Sequence, residues 1–325
     1  MSNESYVISI SMLSTVRFFC VEIIGFLGCI FIIPLIVKSI VRKRSLTTLH
    51  ILLISLICED LWLIIINAYF SLPYYIQFIN NPERLQNISS SIEDSELQCK
   101  IHGFCLTFIT LCFFLTIGMI SFERYFTIVI RKTRHLIILR KYILLTILFI
   151  MFYSSGIACL PLIEIGKYKY QITGTYCYID LSPATDSVWD LVFSSIFVAT
   201  ICLQILIVTS SNSLVVRKLM KKPETKVSLS VSRLPVRGRS ESNPGKSRSF
   251  SLKQKWILVL LILTLIFVIS SVPATVYMVY TLVTGAENYL VEHILIQMIL
   301  VKPLSDPWVI SLITLIDNRN NRSPK

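Results

Sequence analysis

Apolar residues in this chain come in long unbroken runs rather than in alternation. Seven runs that are nearly free of charge fall at 18–40, 47–72, 101–122, 142–163, 188–215, 256–283 and 290–316. About 20 apolar residues in a helix cover the hydrocarbon core of a bilayer, so each run is long enough to cross one. The pattern predicts an all-α integral membrane protein, a seven-transmembrane helix bundle over residues 18–316. A segment at 1–17 precedes it and a tail at 317–325 follows. The longest polar stretch, 217–255, is basic, rich in serine and contains Pro223, Pro235 and Pro244, which predicts a flexible loop.

Composition and charge narrow the class. The chain is 54% hydrophobic and 15% charged, against roughly 25% charged for an ordinary globular domain. A soluble enzyme of this length needs far more polar surface. Of the 31 lysines and arginines, 25 lie in the odd-numbered connections and the C-terminal tail. The positive-inside rule puts those segments in the cytoplasm and the N-terminus outside, in a multi-pass protein of the plasma membrane. The net charge of +12 is then mostly a topological bias, and no nucleic-acid partner is expected. Asn3 and Asn87 head glycosylation sequons on the side so assigned to the exterior. Seven of the nine cysteines lie inside spans, whereas Cys99 and Cys177 fall at outer positions where oxidation is allowed. A bond between them would tie the outer end of the third helix to the second outer loop. The four histidines show no metal-ligand spacing, and neither a glycine-rich phosphate loop nor a nucleophile elbow occurs. No enzyme activity, metal or cofactor is expected.

Ionisable groups within spans are costly and point to function. Here they are Glu22, Glu59, Asp60, the Glu123–Arg124 pair, Lys302 and Asp306. Glu22 lies near the outer edge, where reaching the headgroups suffices. Glu59 points about 100° away from Asp60 on a helix, so the two do not face one pocket equally. Glu123-Arg124-Tyr125 closes the third span on its inner side. An acid beside an arginine there can pair while the inner face is closed, then release the arginine when helices move.

In order and spacing these residues resemble the rhodopsin-like G-protein-coupled receptors. Leu56-x-x-x-Asp60, Cys99 with Arg124 25 residues later, Cys177, Phe267 six residues before Pro273, and Asp306-Pro307 all match that pattern. The likeness covers all seven spans. Within the family the chain is most similar to prostanoid receptors. The second outer loop runs from Gly166 through Gln171 to Gly174-Thr175-Tyr176-Cys177, and the last span ends Asp306-Pro307-Trp308-Val309-Ile310.

The resemblance implies a lipid mediator with a polar head held by Tyr75 and Thr175. At the position of the family's third anchor, an arginine, this chain has Gln297. An amide offers a neutral hydrogen bond where the arginine gives a charge-assisted one, roughly twice as strong. Other departures are Cys29, Phe113, Ser271 and Ile310, together with a fourth span lacking tryptophan and a fifth lacking proline. Leu106 and Leu300 stand where amine receptors carry an acid and light receptors a lysine. Lys302 is one helical turn before Asp306. Its ammonium is expected to replace a sodium ion between Asp60 and Asp306.

The resulting expectation is a receptor for a prostaglandin-like lipid that signals to a heterotrimeric G protein through Arg124 and the basic inner loops. The alternative is a diverged receptor that binds no prostanoid, with weak, constitutive or partner-dependent activity. A transporter is disfavoured, because the sequence shows neither an internal repeat nor acids lining several spans.

Overall fold

The structure is a computed structural model. It describes residues 20, 22–38, 41, 48–80, 96–130, 133–170, 177–181, 188–220, 244–286, 288, 291, 294–295, 298 and 305–311. The helices are α1 (22–38), α2 (Thr48–Asn80), α3 (Glu96–Tyr125), α4 (Thr133–Cys159), α5 (Val188–Met220), α6 (Pro244–Thr284) and α7 (305–311). Five described helices are long and apolar enough to cross a membrane. Strands β1 (Tyr168–Tyr170) and β2 (Cys177–Ile179) form an antiparallel hairpin between α4 and α5.

The helices sort by how much of their circumference is apolar and enclosed. α3 packs against α2, α4 and α5, and α5 against α6, so α3 is the axis of the bundle. Its buried positions, from Cys99 to Glu123, go round the helix. α4 is peripheral and leaves Leu144, Leu148 and Phe152 exposed, as suits a helix whose outer side meets lipid. On α1 the buried Cys29, Ile32 and Ile36 recur at helical spacing and form one inward stripe. Pro73 and Pro273 lie inside α2 and α6; in a membrane the freed backbone groups are satisfied by neighbouring helices. α6 ends at Thr284, and the next residue, Gly285, with a φ of 70°, returns its N–H to the Thr281 carbonyl at 2.9 Å.

Several helices outrun the expected spans, α2 running on to Asn80, α3 starting at Glu96 and α4 at Thr133. α6 begins at Pro244 and α5 runs to Met220, so both ends of the stretch read as a flexible loop, 217–255, are helical. Proline suits the first turn of a helix. Beyond it, Gly-Lys-Ser-Arg-Ser-Phe-Ser-Leu-Lys-Gln-Lys carries charge on a helix continuing past the apolar region, which a hydropathy pattern reads as loop.

The hairpin closes the end of the bundle where α3 and α5 begin. All three residues of β2 are buried. Tyr178 packs edge-on against Phe197 of α5, with ring centroids 6.1 Å apart. The Tyr168 ring fills the space over Gly103 of α3, and its hydroxyl donates to the Ala158 carbonyl at 2.8 Å. Burial pushes the ionisation of the Tyr168 phenol well above its ordinary range, so it remains a donor. Lys167 pairs at 3.1 Å with Asp190, a buried acid in the first turn of α5 where the helix dipole favours negative charge. The turn into β1 needs Gly166: its φ is 97°, and a Cβ there would run into the Phe193 ring. Gly166→Ala is expected to destabilise the protein by about 3 kcal/mol, from left-handed strain plus overpacking. A thermal unfolding midpoint unchanged from the parent's would refute this.

Candidate functional site

The inner end of α3 places Glu123 and Arg124 in its last turn, both largely buried. Arg124 Nε lies 3.6 Å from Glu123 Oε2, an ion-pair distance rather than a hydrogen bond. Residues Phe126–Ile130 then widen into a π-helical turn, a device that marks functional places in helices. Thr127, in that turn, has its hydroxyl 2.8 Å from the Glu123 carbonyl and 3.0 Å from Glu123 Oε1. The carboxylate is thus held from two sides. Tyr125 meets Phe126 edge-on, with centroids 5.7 Å apart. This arrangement has no nucleophile or acid–base relay. It is a largely buried guanidinium beside a carboxylate at ion-pair distance.

Midway through the bundle, Asp60 and Asp306 are 1% and 2% exposed, so both expected carboxylates sit in the interior. α1 lies beside both, near Asp60 of α2 and packed on Pro307 and Trp308 of α7. Cys29 of α1 is within electrostatic reach of Asp60. A Cβ on Gly28 would touch Pro307 and Trp308, and Phe31 stacks on Trp308 with centroids 6.1 Å apart. Phe267 of α6 is buried and packs edge-on against Phe114 of α3 at 5.6 Å, six residues from Pro273. Ile310 is fully buried, and it brings no hydroxyl to the interior. Lys302 lies outside the described residues.

At the outer end, Cys99 and Cys177 form a disulfide with Cα atoms 5.3 Å apart. It fastens the buried strand β2 to the top of α3. Tyr75 belongs to α2, fifteen residues beyond Asp60 and past Pro73, but its side chain is outside the described residues. Thr175, Gln297, Asn3 and Asn87 also lie outside them. Among the described residues no group of three or more His, Cys, Asp or Glu could hold a metal ion.

One acid departs from the expectation and one follows it. Glu22 turns inward to hydrogen-bond Asn67 of α2 instead of reaching for headgroups. Its Oε2 is buried and has no hydrogen-bond partner. An acid at a helix edge can satisfy itself sideways whenever a neighbouring helix offers an amide, which span-by-span reading does not show. Glu59 accepts hydrogen bonds from Thr116 Oγ1 of α3 at 2.8 Å and from Ser55 Oγ at 3.1 Å. It therefore faces α3, away from the site that Asp60 serves, as the 100° offset requires. Ser55, one turn before Glu59 on the same face, was the available signal; Thr116 became visible only once α2 and α3 were packed.

A further polar contact went unread. Asn212 of α5 bonds Thr264 of α6 at 2.7 Å and Ser121 of α3 at 3.4 Å. An asparagine inside an apolar span was the signal that could have drawn attention to it.

Three comparisons bear on this geometry. The sequence model described as "7 transmembrane receptor (rhodopsin family)" matches residues 9–309. The mouse (Mus musculus) prostaglandin E2 receptor EP2 subtype is 23% identical over 276 residues, covering 83% of this chain and 71% of that receptor. The solved structure of squid rhodopsin superposes with a TM-score of 0.70 at 15% identity, covering 96% of this chain and 83% of that one.

Proposed function

From the premise that this chain belongs to the rhodopsin family of seven-transmembrane receptors, a multi-pass membrane protein and not an enzyme, we propose that it is a receptor for a prostaglandin-like lipid mediator and signals through a heterotrimeric G protein. The observation that carries the signalling part is the buried Glu123–Arg124 pair at the inner end of the central helix. The lipid part is supported by the loop and span-seven motifs and by the likeness to a receptor whose name specifies prostaglandin E2.

In this reading the N-terminus is extracellular, Asn3 and Asn87 are glycosylated, and the chain resides in the plasma membrane among lipids its exposed apolar faces suit. The ligand's polar head contacts Tyr75, Thr175 and Gln297, and its tail lies among the upper spans. Asp60 and Asp306, both buried, share the Lys302 ammonium in place of a cation. Binding favours an arrangement in which α6, pivoting near Phe267 and Pro273, leaves α3. Arg124 then parts from Glu123 and meets the G protein beside the basic loops. A ligand shifts that equilibrium only by its differential affinity for the two arrangements.

A second reading is favoured by Ile310 and Gln297: a diverged receptor that has given up prostanoids and acts constitutively or through partners. Second-messenger responses to prostanoid acids, esters and amides, in cells with confirmed surface expression, separate the two. The proposal expects a dose-dependent response to at least one chemical class. Silence across the panel at normal surface expression overturns it in favour of the diverged receptor.

A further inference from the structure

Asn212, Ser121 and Thr264, we propose, form a buried clasp that holds α6 to the α3–α5 frame in the resting protein; the idea rests on the receptor reading above. Asn212 is 8% exposed and sits in the inner half of α5 among the buried Val208, Ser211 and Val215. Its Nδ2 carries two hydrogens, which suffice for Thr264 Oγ1 at 2.7 Å and Ser121 Oγ at 3.4 Å. An amide turned over would accept from the same two hydroxyls, so the link between helices is independent of its orientation.

The position of the clasp gives it leverage. Ser121 is one turn before Arg124 on α3, and Thr264 is one turn before Phe267 on α6. The clasp therefore joins the turn that carries the arginine to the turn that packs on Phe114. The frame it closes on is firm: two turns outward on α5, the Gln204 amide occupies the space that any side chain at Gly118 of α3 would need. With α3 and α5 so interlocked, an outward movement of α6 breaks the Thr264 bond. The 3.4 Å contact to Ser121 is the weaker one and belongs to the frame.

The clasp is also built to open. Asn212 Oδ1 is buried without a hydrogen-bond partner, so the amide is only half satisfied. Thr264 and Ser121 accept from the amide through their oxygens, so release leaves their own O–H donors as they were. Opening leaves the Asn212 N–H groups as the donors that must find new acceptors.

The test uses the full-length protein in phospholipid nanodiscs, read by hydrogen–deuterium exchange of the inner half of α6. Thr264→Val and Asn212→Leu are expected to exchange there about three- to tenfold faster than the parent, the range of one interhelical hydrogen bond in a membrane. The double variant should be no faster than either single. Thr264→Ser, which keeps the hydroxyl, should match the parent, as a purely steric role for Thr264 would not allow. Unchanged protection in Thr264→Val and Asn212→Leu overturns the clasp. Basal nucleotide exchange on added G protein, with Arg124→Ala as reference, tells its failure from that of the receptor reading. Arg124-dependent exchange that neither variant raises sinks the clasp and spares the receptor. A loosened α6 with no Arg124-dependent exchange sustains the clasp and sinks the signalling role.

Discussion

Arg124→Ala is expected to lower G-protein nucleotide exchange at least tenfold while leaving the protein folded and at the cell surface, and Glu123→Gln is expected to raise basal exchange several-fold. The opposite signs follow from one geometry. In the proposed mechanism Arg124 is the cation presented when the inner face opens, so its removal would delete the productive contact. Glu123 holds that cation back at 3.6 Å, and a neutral amide holds it less well. Breaking a buried pair by removing one partner costs about 3–5 kcal/mol when the other charge stays trapped. Arg124 lies at the helix end and can turn to the cytoplasm, so on the order of 1–2 kcal/mol remains as bias toward the open arrangement. That is about a five- to thirtyfold shift in population. Thr127 moderates the effect, because its hydroxyl reaches the same carboxylate at 3.0 Å. Nucleotide exchange on purified G protein, normalised to surface-competent receptor, checks both signs. Equal activity of parent and Arg124→Ala would contradict the assignment.

The second large effect concerns the outer end. Replacing Cys99 or Cys177 with serine is expected to destabilise the protein by about 2–4 kcal/mol and to cut surface expression severely. The bond closes a span of 78 residues, for which chain entropy in water gives about 4–5 kcal/mol. The bilayer lowers that figure, since α3 and α4 stay inserted and restrained in the reduced chain. The consequence is local and specific: β2, with all three residues buried, loses its covalent anchor on α3 and is left with its packing on β1, α3 and Phe197. Thermal unfolding of purified protein with and without reductant measures it. A midpoint insensitive to reduction would show that the hairpin is held by packing alone.

How much of this was legible in the chain follows from what each kind of signal can carry. Hydropathy located the five membrane-crossing helices among the described residues, because crossing a bilayer is a one-dimensional requirement on length and polarity. It misplaced the inner ends of α5 and α6, since a helix that continues into water needs no apolar run. Cys99, Cys177, Glu123 and Arg124 were found from their types and spacing, and the structure places them as paired. The inward turn of Glu22 toward Asn67, the Glu59–Thr116 bond and the Asn212 clasp are contacts between helices. Their partners are 45, 57 and 52 residues apart, and nothing in either local sequence names the other. The burial of all three β2 residues was unreadable for a related reason. A three-residue strand shows no usable alternation, and its burial depends on the roof it forms over α3 and α5.

The central claim is that the outer end of the bundle receives a prostanoid-like lipid whose head meets an uncharged anchor at Gln297. Its most direct measurement is saturable binding of prostanoid acids and their methyl esters to the purified protein in nanodiscs, for the parent and for Gln297→Arg. The account predicts that the parent binds the ester at least as tightly as the acid. Gln297→Arg should then favour the acid by about tenfold or more, the difference between a neutral and a charge-assisted contact. Absence of saturable binding of either form, by protein that unfolds cooperatively and carries its disulfide, would contradict the claim.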